Sequence, residues 1–151
     1  MKARKPLLLA TLSLAILGGA AIVVIASLSS STAAHGTAVQ DYVSLVDALR
    51  ASGSSVEPGG AIEQPFFAAN GTGLKVNGQE VQAFEYPTET AADRDANTVS
   101  DDGGTVGTTK PLWTAAPHFY QKGKVIALYI GDDAQTLELL STTLGPQFAG
   151  K

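Results

Sequence analysis

The sequence predicts an α+β domain, a mainly antiparallel five-stranded sheet with helices packed on it, behind an N-terminal transmembrane or signal helix. Three observations carry that expectation. Tight-turn signals at Asn77-Gly78 and Gln121-Lys122-Gly123 each separate two strand-like runs. Three other segments repeat apolar residues at helical spacing behind capping residues. Residues 7–28 form an uncharged, mostly apolar run preceded by Lys2, Arg4 and Lys5. The expected order of the body is α-β-β-β-α-β-β-α.

Taken in order, the 22 residues of 7–28 would reach about 33 Å as a helix, enough to cross a hydrocarbon core of about 30 Å. That length favours an uncleaved anchor over a signal peptide, whose apolar region is shorter. The small residues that follow keep a cleavage near Ala33 or Ala34 as the alternative. Positive charge lies only before the run and none follows until Arg50. The N-terminus is therefore expected in the cytoplasm of a bacterial cell and the body outside it. Residues 29–37 read as a short linker, and 38–151 as the extracytoplasmic domain.

Thr37 with Gln40 reads as a capping box opening a helix over 38–52, with Val39, Tyr42, Val43, Val46 and Leu49 on its apolar face. Residues 61–68, interrupted by Pro65, read as an edge or bulged strand. A hairpin over 74–86 turns at Asn77-Gly78. Thr88 opens a second helix over 89–100, with Ala92, Ala96 and Val99 inward. Strands over 112–120 and 124–130 form the second hairpin. The latter has no polar alternation, which places it at the centre of the sheet with both faces covered. Asp132 with Gln135 opens a third helix that buries Leu137, Leu140 and Leu144 and stops at Gly145-Pro146.

Composition excludes several chemistries. The chain has 151 residues and no cysteine, so disulfides, thiol catalysis, cysteine-ligated metals and acylated-cysteine anchors are absent. Beyond its first five residues the chain carries seven positive charges against fourteen negative. An acidic body repels phosphates, so nucleic acid is not an expected partner. No nucleotide-binding glycine loop, serine-hydrolase elbow or zinc-protease motif occurs. Asp93-x-Asp95-x-Asn97 starts like a calcium loop, but Thr98 stands where a glycine is needed and Gly104 where a glutamate is needed. Asp101-Asp102 and Asp132-Asp133 read as turn and cap residues before they read as a carboxylate site. Asn70-Gly71-Thr72 reads as a turn rather than a glycan acceptor. No metal and no cofactor is expected.

The strings Gln64-Pro65-Phe66-Phe67, Lys75-Val76-Asn77-Gly78, Phe84-Glu85-Tyr86, Pro117-His118-Phe119-Tyr120 and Leu144-Gly145-Pro146-Gln147-Phe148 give the chain a further character. In them it resembles an uncharacterised family of small bacterial envelope proteins that carry an N-terminal apolar segment. The resemblance implies an exported bacterial domain and carries over no catalytic residue.

Of the two histidines, His35 falls in the linker, which leaves His118. Beside Phe119 and Tyr120 it reads first as a packed ring bonding a carbonyl, and second as the polar group of an aromatic-walled binding site. Alternation puts Trp113 and Phe119 on one face of their strand, His118 and Tyr120 on the other. If the first and third helices cover one side of the sheet, the other presents an apolar surface for a ligand or partner. That surface draws on the sets Trp113/Phe119, Val125/Ala127/Tyr129 and Ile126/Leu128/Ile130, with facing unassigned, and the candidate ligand or partner residues over both readings are Trp113, His118, Phe119, Tyr120 and Tyr129. The competing arrangement has the second helix lying there, or curvature closing the face on itself. The expected function is a membrane-anchored, non-enzymatic binding or interaction module for an envelope protein or a small apolar ligand. The alternatives are an envelope hydrolase without a recognisable motif and a passive structural element.

Overall fold

The computed structural model describes residues 38–151. The apolar run at 7–28, the linker at 29–37, His35 and Thr37 lie outside the described residues. Among the described residues no helix is long and apolar enough to cross a membrane.

The body is α+β, with three helices and an open sheet in which every pairing is antiparallel. The elements are α1 (Tyr42–Ala51), β1 (Val56–Ile62), β2 (Gly71–Val76), β3 (Gln79–Glu85), α2 (Glu89–Ala96), β4 (Pro117–Lys122), β5 (Val125–Ile130), α3 (Ala134–Leu144) and β6 (Ala149–Gly150). The sheet order is β1-β2-β3-β5-β4-β6. The expected order of elements is found. The strand count is six rather than five, because Gly145 ends α3 at φ 94° and the chain returns to pair Ala149 and Gly150 with β4. A two-residue strand carries no periodicity for sequence reading to detect.

β5 is central, as its unbroken apolar run requires, and its side chains divide between two cores. Val125, Ala127 and Tyr129 join Tyr120, Leu74, Val76 and Val81 under α1 and α3. Ile126 and Leu128 join Phe84, Phe119 and Phe67 under α2. Connectivity explains the two-sided cover. β3 and β4 both pair antiparallel with β5, so they run parallel to each other and need a crossover, which α2 supplies. The same reasoning makes β5 and β6 parallel, with α3 on their crossover. Ala92 and Ala96 are buried, so α2 lies close to the sheet. The expectation of an open second face is corrected: the second helix lies there.

Local chemistry sets the element ends. The first helix starts at Tyr42 rather than at residue 38. Asp41 is its cap: Oδ1 accepts from the Ser44 N–H at 2.9 Å, and Ser44 Oγ accepts from the Asp41 N–H at 2.9 Å. The helix buries Leu45, Val46 and Leu49 and leaves Val43 66% exposed, so its inward face is turned from the expected one. The first strand lies at Val56–Ile62, upstream of the expected 61–68. It tolerates Pro58 because it is an edge strand with a bulge between Pro58 and Ala61. Phe66 and Phe67 reach the core from a turn instead. The 77–78 turn has Asn77 at φ 49° and Gly78 at φ 87°, the positive pair a type I′ hairpin needs. α2 ends at Ala96, short of residue 100, and Val99 bridges to Val106. The fourth strand begins at Pro117, not 112, and its turn falls at Gly123-Lys124. The cap of α3 is Asp133, one residue beyond the expected Asp132.

Candidate functional site

The five candidate residues do not form one surface. Phe119, Tyr120 and Tyr129 are core residues, each 2% exposed or less, and His118 is 5% exposed. Trp113 is half-buried and reaches the α2-side core from the loop before β4. Its indole N–H donates to the Gly103 carbonyl at 2.8 Å, and its ring meets Phe66 and Phe119 edge-on, with centroids 5.9 and 6.0 Å away. His118 and Tyr120 lie on the opposite face, where the His118 ring stacks on Tyr129 at 6.1 Å. The face assignment read from alternation is therefore found, although Trp113 is no part of the strand.

Each face keeps one relevant cleft. On the α2 side a cavity of about 330 Å³ is walled by Phe66, Trp113, Ile130, Pro65 and Pro111, with Leu112 at its rim. Leu112 is 97% exposed. On the other side a groove of about 520 Å³ runs between β4 and α3, lined by His118, Tyr120, Leu137, Glu138, Ser141 and Gln147 among others. The second cleft is the stronger candidate, because it contains a buried polar group with spare hydrogen-bonding capacity.

That capacity follows from how His118 is held. The 145–151 segment is stitched along β4, with the Phe148 N–H donating to the Phe119 carbonyl at 2.9 Å and the Lys151 N–H to the Pro117 carbonyl at 3.3 Å. This brings Gln147 Oε1 to 2.7 Å from His118 Nδ1. An amide oxygen accepts, so in the neutral imidazole Nδ1 carries the proton and Nε2 presents a lone pair. Nε2 has no hydrogen-bond partner among the described residues. No buried side-chain nitrogen or oxygen among them lacks a partner either. Nε2 is therefore the part of the ring that solvent reaches, through the groove that His118 lines.

The rest of the groove is mostly apolar. Ala134, Leu137, Glu138 and Ser141 form one stripe of α3 facing it. Burial, and secondarily the Tyr129 phenol, push the Tyr120 hydroxyl above its ordinary range, so it stays protonated. Ser141 Oγ donates to the Glu138 carbonyl at 3.0 Å. The groove thus offers an acceptor at the neutral ring's Nε2, a neutral phenol and an aliphatic wall, with Glu138, Ser141 and Lys151 also lining it.

One aspartate of each pair takes a structural role. Asp133 Oδ2 accepts from the N–H and hydroxyl of Thr136, and these bonds hold its carboxyl below the usual range. Asp102 accepts from the Gly104 N–H and from Ser100 Oγ, with the same effect on its carboxyl. Asp95, read as part of a calcium-like string, accepts from the Tyr86 hydroxyl at 2.8 Å and the Ala68 N–H at 2.7 Å. Among the described residues no three His, Asp or Glu side chains converge as a metal site.

Sequence reading missed Gln147, Ser141 and Leu137 as groove residues. The available signal was the α3 stripe at 134, 137, 138 and 141, which mixes apolar and polar residues where a purely buried face would not. Gln147 had no such signal, since its role depends on the return of the chain to β4. Comparison with protein-family models, with curated proteins and with solved structures finds no match to this chain.

Proposed function

We propose that this chain is a non-enzymatic binding module held outside a bacterial membrane by its 7–28 segment, taking a small, mainly apolar ligand in the groove between β4 and α3. The observation that carries the binding half is His118: a ring 5% exposed whose one unpartnered nitrogen opens into a groove of about 520 Å³. The groove is shallow and open to solvent, so a ligand in it keeps one side exposed and is oriented mainly by the His118 contact. The location rests on the cationic residues before the apolar run and the resemblance to small envelope proteins.

A ligand that binds the folded chain alone raises its melting temperature. Thermal unfolding of the full chain in lipid nanodiscs, with and without millimolar 4-ethylphenol, tests the site. A rise is expected, and it should vanish in Ser141→Phe, which fills the groove from α3. No rise, or an equal rise in that variant, contradicts the reading. For location, a reporter fused after Lys151 should be active only outside the cytoplasm, and cytoplasmic activity overturns that half.

One observation favours a second reading. Ser141 lines the same groove as His118, so an envelope hydrolase would use Ser141 as nucleophile and Nε2 as its base. That chemistry requires the Ser141 hydroxyl to leave the Glu138 carbonyl for Nε2. Ser141→Ala separates the two readings: binding survives the change, whereas hydrolysis of a p-nitrophenyl ester by the chain would not.

A further inference from the structure

We infer that the groove selects uncharged alcohols and phenols, ligands with an apolar body and one hydroxyl that donates to His118 Nε2. This deepens the proposed binding role and rests on it. Nδ1 is committed to Gln147 Oε1 at 2.7 Å, so Nε2 can only accept while the imidazole is neutral. A ligand that fills the groove without donating leaves a nearly buried acceptor stripped of water and unpaired, which costs free energy. A donor satisfies it. Apolar walls from Ala134, Leu137 and Pro146 favour an uncharged body, because an ion lying against them would lose part of its hydration. The Tyr120 hydroxyl lines the same groove and sits two residues along the same strand face, a second neutral polar contact for a ligand oxygen. Glu138 and Lys151, of opposite charge, also line the groove. They give it no net preference for a cation or an anion.

The discriminating pair is 4-ethylphenol and 4-ethylanisole, which differ by replacing the hydroxyl hydrogen with a methyl group. The ether is the more apolar of the two, so a merely greasy groove binds it at least as well. Donor recognition reverses that order. Titrations of the full chain in nanodiscs at about pH 8, above the ordinary imidazole range, should show the phenol binding roughly three- to tenfold more tightly. His118→Leu should remove the preference while keeping an apolar wall. Should that variant fail to fold, Gln147→Leu provides the second test: it frees Nδ1 and lets the tautomer change, so the preference falls while His118 remains. Equal or tighter binding of the ether by the unaltered chain overturns this inference and leaves the groove reading standing. Binding of neither compound, or binding unaffected by Ser141→Phe, overturns both.

Discussion

At the scale of single residues, the polar side chains of this domain divide between fixing the backbone and facing the groove. Asp133 belongs to the first kind. Its bonds to Thr136 lower its carboxyl from the ordinary 3.8, so the stabilisation it gives is fully present above the unfolded-chain value. It is lost as pH falls through the lower folded value. Asp133→Ala should therefore melt below the parent at pH 7 by differential scanning calorimetry, with the gap narrowing as pH falls below the ordinary carboxyl value of 3.8. A gap that widened on acidification would contradict the cap assignment. Tyr86 is a second case: burial, then its bond to Asp95, pushes its hydroxyl well above the ordinary range. Tyr86→Phe should cost about 1.5–3 kcal/mol in denaturant unfolding, the range for a bond to a charged partner. The identity of such residues was visible in the sequence, but their partners were not. His118 was legible as a ring in an aromatic setting. Its bond to Gln147 joins residues 29 apart and no local pattern encodes it.

At the scale of elements, local signals worked where the chemistry is local. Asn77-Gly78 specified its turn because positive φ at both positions is a demand on two residues alone. Two glycines show how local and tertiary demands differ. A Cβ at Gly78 meets nothing within 4 Å, so Gly78→Ala pays only for the φ of 87°, about 1–2 kcal/mol. At Gly123, φ is 55° and a Cβ would lie 2.7 Å from the Gln40 Cα, against backbone that cannot swing aside. Gly123→Ala should cost at least twice as much, measured by the same urea titration. Equal costs would mean that Gln40 is not held there by the 2.9 Å bond from the Lys124 N–H to its carbonyl. The first strand was misplaced for a related reason. Pro58 with two glycines has the composition of a loop, and only its place at the sheet edge makes it a strand. Likewise, residues 112–116 alternate like a strand but are not one, and Leu112 points into solvent.

At the scale of the whole molecule, the α+β class followed from two hairpin turns and three helical periodicities, and the central position of β5 from its continuous apolar run. The division of helices between both faces did not, because it depends on which strands are neighbours. The sheet order, with β5 between β3 and β4, forces a crossover on which α2 rides, and that closes the face that sequence reading left open. The two-core arrangement predicts a sharp contrast between aromatic and aliphatic residues near one another in sequence. Phe119→Ala should cost about 3–5 kcal/mol, since that ring is fully buried among Phe67, Trp113 and Phe148. Leu112→Ser should change stability by less than about 0.5 kcal/mol. If both cost the same, the α2-side core is not packed as described. In the groove on the other face, the unpartnered Nε2 of the largely buried His118 ring is open to solvent. The most direct test of that claim is the long-range ¹H–¹⁵N spectrum of the imidazoles in the full chain. The chain has two histidines, so His35→Asn assigns the remaining set of signals to His118. At about pH 8, above the ordinary imidazole range, the His118 proton should sit on Nδ1, with an unprotonated Nε2 resonance that shifts when 4-ethylphenol is added. A ring protonated at Nε2, or an Nε2 resonance indifferent to the phenol at saturating concentration, would contradict it.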